Sequence, residues 1–270
     1  MICISVSCWS VSLRAQEKIV WNLVGLPEQK RVQVFAGGQK FTEFIYPDSL
    51  EKPVLYPIYA SDGAIVTRGF PLVPRAGEPT DHPHHLGLWL NYENVNGLDF
   101  WNNSFAIPAD KKHSYGWIKT DKILEVSGGR EGHLSYSANW VDQSGNVLIR
   151  EITQFVFIAN AQERIIDRIT SIEAQTDISL ADAKDGFLGL RVAHELELPS
   201  AQPKQYSDNK GNLTTVPANS TVSGNYLTSE GRTGDSAWGT RARWCMMFGK
   251  INPDSISIGI IDHPANPGYP

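Results

Sequence analysis

His133-Leu134-Ser135-Tyr136-Ser137-Ala138-Asn139-Trp140-Val141 sets Leu134, Tyr136, Ala138 and Trp140 on one face and Ser135, Ser137 and Asn139 on the other. A strict period of two with apolar bulk on one side is the pattern of a half-buried antiparallel strand. Asp142-Gln143-Ser144-Gly145-Asn146 follows as a turn, and residues 147–158 run back as a second strand. Working outward, strands of the same kind are expected over residues 32–45, 86–92, 117–126, 164–174, 186–198, 242–248 and 255–261. No segment sustains an i, i+3, i+4, i+7 stripe with caps at both ends, so no long helix is expected. The fold expectation is all-β, an antiparallel β-sandwich of supersandwich or jelly-roll type. Two stretches break the rhythm: residues 71–83, with four prolines, and the polar residues 200–240.

Composition narrows the function. The chain has 270 residues, 24 Lys and Arg against 29 Asp and Glu, and a formal net charge of -5. A nucleic-acid binder is usually basic, so no nucleic-acid partner is expected. No stretch reaches the ~18 apolar residues of a spanning helix, so the chain is not expected to cross a membrane. Residues 2–13 form a short apolar run ending at Leu13-Arg14-Ala15-Gln16, which reads as a signal peptide over residues 1–15, although no Lys or Arg precedes the run. A periplasmic or secreted protein is therefore expected, with residues 16–270 forming one domain. Cleavage would remove Cys3 and Cys8, leaving Cys245 as a lone thiol with no internal disulfide.

The densest chemical signal is Asp81-His82-Pro83-His84-His85-Leu86-Gly87-Leu88-Trp89, with three of the seven histidines in four positions. If the chain is extended there, His82 and His84 share one face and His85 takes the other. Imidazoles at that spacing suit a metal ion or acid/base work on a substrate. Asp262-His263-Pro264 repeats the Asp81-His82-Pro83 pattern. If the two meet, His263 becomes a third metal ligand or the second member of an acid/base pair. The candidate catalytic residues are thus His82, His84, His263 and Asp262, and the candidate metal ligands are His82, His84 and His263. Asn96-Gly97-Leu98-Asp99-Phe100-Trp101 adds Asp99 and Trp101. Trp89 and Trp101 are either core residues or a stacking surface for a flat sugar face. Arg191, on a face with Phe187 and Gly189, needs a structural acid such as Asp182 or Asp185, or a substrate group that it orients together with Lys184. Arg243 alternates with Trp238 and Trp244 on another strand. Gly-x-Ser-x-Gly, phosphate-loop, dinucleotide and His-Glu-x-x-His motifs are absent.

These elements together resemble a bacterial secreted family of unknown function commonly labelled the methane oxygenase PmoA family. The resemblance spans about residues 20–270. It rests on His82 through Trp89, Gly97 through Trp101, Lys184-Asp185-Gly186 through Arg191-Val192-Ala193, Trp238-Gly239 through Trp244, and Asp262-His263-Pro264-Ala265-Asn266-Pro267. It implies a β-sandwich and occurrence beside sugar-catabolic genes in Bacteroidetes-like bacteria. Methane oxidation is not carried over, because its membrane subunit is hydrophobic and this chain has no spanning segment. Members continue past the Asp-His-Pro element into a Trp-His-x-Arg segment, whereas this chain stops at Gly268-Tyr269-Pro270, so a C-terminal truncation is expected. The leading expectation is a carbohydrate-active enzyme, of hydrolase, lyase or epimerase/mutarotase type, acting on a small sugar or glycan. The alternatives are an oxidoreductase holding a divalent metal such as copper, and a non-catalytic carbohydrate-binding module.

Overall fold

The structure, a computed structural model, describes residues 19–160, 162–207, 213–251 and 253–270. The expected signal peptide lies outside the described residues. In chain order the strands are β1 (Trp21–Leu26), β2 (Arg31–Ala36), β3 (Gln39–Ile45), β4 (Val54–Ile58), β5 (Leu88–Tyr92), β6 (Trp117–Ser127), β7 (Gly132–Val141) and β8 (Val147–Ala159). They continue with β9 (Arg164–Ala174), β10 (Gly186–Leu190), β11 (Lys204–Ser207), β12 (Leu213–Val216), β13 (Asn225–Thr228), β14 (Trp244–Ile251) and β15 (Asp254–Ile261). Among the described residues the helical elements are 3-10 turns of three to six residues.

The ladders between these strands are antiparallel. One sheet has the order β1-β2-β3-β4-β5-β10 and a second the order β6-β7-β8-β9, with β13-β14-β15 and the hairpin β11-β12 as smaller sheets. The β7 alternation is realised as read: Leu134, Tyr136, Ala138 and Trp140 are buried, and their face meets the first sheet. Phe44 of β3 lies 4.5 Å from Tyr136, and Trp21 of β1 lies 5.6 Å from Phe157 of β8. Removing one such aromatic side chain from a packed core costs roughly 3–5 kcal/mol, so these pairs fix the two sheets face to face. This is the expected antiparallel β-sandwich.

The segment expected to form one strand over residues 32–45 is instead the hairpin β2-β3. Gly37 and Gly38 have φ of 58° and 79°, the left-handed values a two-residue hairpin turn requires. The polar residues 200–240 carry β11, β12 and β13 rather than an unbroken loop.

Strands β4 and β5 position the candidate site because they are buried on both faces. Leu55 and Leu88 belong to the interior of the sandwich. Val54, Tyr56 and Trp89 face the other way and form a second apolar cluster with Leu86 and Trp101. The histidine segment packs on that outer cluster.

Candidate functional site: an acid–imidazole cluster on the outer face of the sheet

Residues 81–87 are a turn, not a strand, and β5 begins only at Leu88. The His85 amide donates to the His82 carbonyl at 3.0 Å, and His82 itself has φ 45°. Left-handed backbone is uncommon outside glycine, and His is among the residues that tolerate it better than most. The turn overturns the expectation that His85 points away from His82 and His84. All three rings converge, with centroids 5.5 Å (His82–His84), 4.8 Å (His82–His85) and 4.3 Å (His84–His85) apart. His85 is sandwiched, nearly parallel to His82 on one side and stacked at 5.2 Å on Trp89 on the other. Trp101 closes this column edge-on.

Two glycines make the column fit. A Cβ on Gly189, which pairs with Trp89 across β10 and β5, would sit 2.3 Å from the indole ring. A Cβ on Gly87, which has φ 53°, would sit 2.2 Å from the Leu55 carbonyl oxygen. Trp89 and Trp101 are buried beneath the histidines, so neither presents the open stacking surface that was one reading of them. Exposed aromatic platforms for a binding module are not built from these two residues.

Charge is organised in a row: Arg68, Asp81, Arg191, Glu197. Asp81 accepts from Arg68 Nη1 at 3.1 Å and lies 3.2 Å from Arg191 Nη2, which is 2.8 Å from Glu197. Asp81 also meets His82, whose Nδ1 lies 2.5 Å from Oδ2. Arg68 has no exposed side-chain surface and also donates to the carbonyls of Phe70 and His82, at 3.3 and 2.9 Å. It thereby holds both ends of the proline-rich segment. Glu78 closes the same segment, accepting from the amides of Gly69, Phe70 and Arg75. The partner Arg191 needs is thus Asp81, 110 positions away in the chain, together with Glu197, rather than Asp182 or Asp185.

Burial pushes the Asp81 carboxyl up, but the hydrogen bond from His82 and the charges of Arg191 and Arg68 outweigh it and bring it down to about 2. Burial, reinforced by Lys52 and His82, holds His84 well below the ordinary imidazole range. Burial, with His84 and His82, does the same to His85. Both rings are therefore neutral at pH 7 and act as hydrogen-bond donors or acceptors, not as charges. Beneath them Lys52, brought down by burial to about 8, donates to the His84 carbonyl at 2.7 Å and lies 5.4 Å from the centre of the Trp89 ring.

The remaining expected residues are held elsewhere. His263 is exposed in the turn after β15, where its Nδ1 accepts from the Ala265 amide, and Asp262 accepts from Asn266. These side-chain bonds lie within the turn, while the Asp262 amide donates to the Arg243 carbonyl at 2.9 Å. Among the described residues no group of three or more His, Cys, Asp or Glu side chains is arranged to hold a metal ion, so His82, His84 and His263 do not form a ready-made ligand set. Lys184 is half exposed, 4.0 Å from Asp185, and Arg243 is exposed beside Glu230. Asp99 is buried and accepts from the Asn102 amide and side chain, closing its own turn.

Sequence reasoning missed Lys52, Arg68, His194 and Glu197. Lys52 and Arg68 lie in stretches that held no other candidate, and His194 and Glu197, although three positions apart, are tied to the histidine turn only through Arg191 and Asp81.

The fold and this cluster define an all-β sandwich protein with a partly buried row of paired charges flanked by partly exposed imidazoles. The chain belongs to a family of unknown function (DUF6807), whose model matches residues 31–270. No curated protein and no solved structure matches it.

Proposed function

We propose that this protein is a periplasmic or secreted enzyme that moves protons on a sugar or glycoside, with His82 as its acid/base group. The observation that carries this reading is the Asp81–His82 hydrogen bond of 2.5 Å, with Asp81 clamped by Arg68 and Arg191. A carboxylate fixed in this way orients the imidazole and stabilises the imidazolium formed when it takes a proton. Asp81 is wholly buried whereas the His82 side chain is 18% exposed, so the acid supports and the imidazole meets the substrate. His84 and His85, both neutral, shape the wall beside it. The sugar class is supported by the resemblance of the motif set to a family found beside sugar-catabolic genes.

The test is turnover of a panel of free sugars, glycosides and uronides by the wild type, His82→Gln and Asp81→Asn. Positioned acid/base groups contribute roughly 10²–10⁴-fold, and a loss of that size is expected for His82→Gln in a folded protein. Wild-type turnover in His82→Gln would remove the proposed role.

A further inference from the structure

Arg191 serves two carboxylate–imidazole pairs, not one. Its Nη2 lies 3.2 Å from Asp81 Oδ2 and 2.8 Å from Glu197 Oε1. Beyond Glu197, Oε2 lies 3.3 Å from His194 Nδ1 and accepts from Asn219 Nδ2 at 3.3 Å. The arrangement around Asp81 and His82 is thus repeated around Glu197 and His194, with one guanidinium between the acids. His194 opens the 3-10 turn His194–Leu196, three residues beyond Arg191. Leu196 in the core and the bond from the Ala193 amide to the Val66 carbonyl fix that turn against the sandwich. His194 is 26% exposed, against 18% for His82 and 16% for Glu197, while Asp81 is wholly covered.

This duplication bears on the reaction. Glycoside hydrolysis ordinarily uses two carboxyl groups flanking the scissile bond. Here both acids are taken up by an arginine and a histidine, and an imidazole reaches the surface beside each of them. Two imidazoles suit a reaction in which one proton is taken and another is given, with no water to activate.

We propose that His194, held by Glu197, is the second proton-transfer group of the site, and that it works with His82 to interconvert the anomers of a free reducing sugar. This rests on the reading of His82 as an acid/base group. In ring opening, neutral His82 takes the proton of the anomeric hydroxyl, and the O–H electron pair becomes the second bond of the carbonyl. The bond from the anomeric carbon to the ring oxygen breaks, its pair stays on that oxygen, and the His194 imidazolium supplies the proton. After rotation about the single bond from the carbonyl carbon to the adjacent carbon, ring closure on the other face reverses both transfers and restores both histidines. Atoms balance without an oxidant, reductant or water.

The test follows exchange between α and β forms of D-glucose, D-galactose, D-xylose and L-fucose by NMR, in dilute buffer, beside the glycoside panel. Wild type should accelerate exchange of at least one aldose above its spontaneous rate. His194→Gln and His82→Gln should each cut that acceleration at least 100-fold with melting temperatures close to wild type. Added imidazole should partly restore His194→Ala, which a purely structural role for His194 would not allow. Glu197→Gln, a change at a positioning residue, should lower kcat with little effect on KM. Loss in His82→Gln with wild-type exchange in His194→Gln would overturn this inference while leaving the His82 reading intact. Turnover of glycosides with no aldose exchange would overturn the anomer assignment alone. Full activity in His82→Gln, or no acceleration of any panel member, would overturn both readings together.

Discussion

Replacing Arg68 by Met tests whether the buried charge row holds the site together. The methionine keeps an apolar stem in a position with no exposed side-chain surface, but it removes every guanidinium donor. The carbonyls of Phe70 and His82 lose partners at 3.3 and 2.9 Å, and Asp81 loses one at 3.1 Å. A buried acceptor left without a donor costs about 1–3 kcal/mol. Asp81 retains His82 and Arg191, so the full ~3–5 kcal/mol of an abandoned buried ion is not reached. Relief from burying the guanidinium, which burial brings down to about 10, offsets part of the loss. A net destabilisation of roughly 3 kcal/mol is expected from these terms. At roughly 2–4 °C per kcal/mol for a domain of this size, the melting temperature should fall by roughly 6–12 °C. Arg68→Lys keeps a charge beside Asp81 but cannot span the four acceptors, which include the Pro79 carbonyl at 3.5 Å, so it should lose about half as much. Thermal and urea unfolding followed by circular dichroism measure both variants. A loss below about 1 kcal/mol in Arg68→Met, or wild-type stability in Arg68→Lys, would refute the claim that the fork of donors fastens the histidine turn.

The ionisation of Asp81 gives a pH signature. Its carboxyl is lowered from 3.8 to about 2, so its stabilisation is present above pH ~4 and is lost as pH falls toward ~2. The pair contributes on the order of 2 kcal/mol by linkage, and the advantage of wild type over Asp81→Asn in urea unfolding should shrink by that amount between about pH 5 and pH 2. A pH-independent difference would contradict the assignment. Gly189→Ala drives a Cβ into the Trp89 ring, so it should cost roughly 1–3 kcal/mol by overpacking and alter the tryptophan fluorescence. Unchanged fluorescence and melting temperature would show that the indole has room to spare.

The readability of this chain divides along the range of its interactions. The faces of β7 were legible because alternation is a local property of a pleated strand, and Trp140 has the same side whatever its neighbours are. The course of residues 81–87 was not legible, because three closely spaced histidines carry no marker of their backbone. Their convergence depends on the left-handed His82, the bond from His85 to His82, and the floor supplied by Trp89. Arg191 was recognisable as a residue needing a partner, yet Asp182 and Asp185 were the wrong acids, and its partners are Glu197 and the distant Asp81. Conversely, the second Asp-His-Pro tripeptide invited a meeting with the first, and the structure engages its His263 within an exposed turn of its own, where Nδ1 accepts from the Ala265 amide.

By itself, then, the sequence determined the all-β architecture, the antiparallel hairpin at its centre and the segment where titratable groups concentrate. Each follows from short-range periodicity and composition. Only the tertiary structure decided that Arg68 and Arg191 both meet Asp81, that Trp89 and Trp101 lie beneath the imidazoles, and that one arginine joins two acid–imidazole pairs. Those outcomes depend on loops that close over long stretches of chain, where burial forces each charge to find a partner and the fold alone decides which partners are within reach.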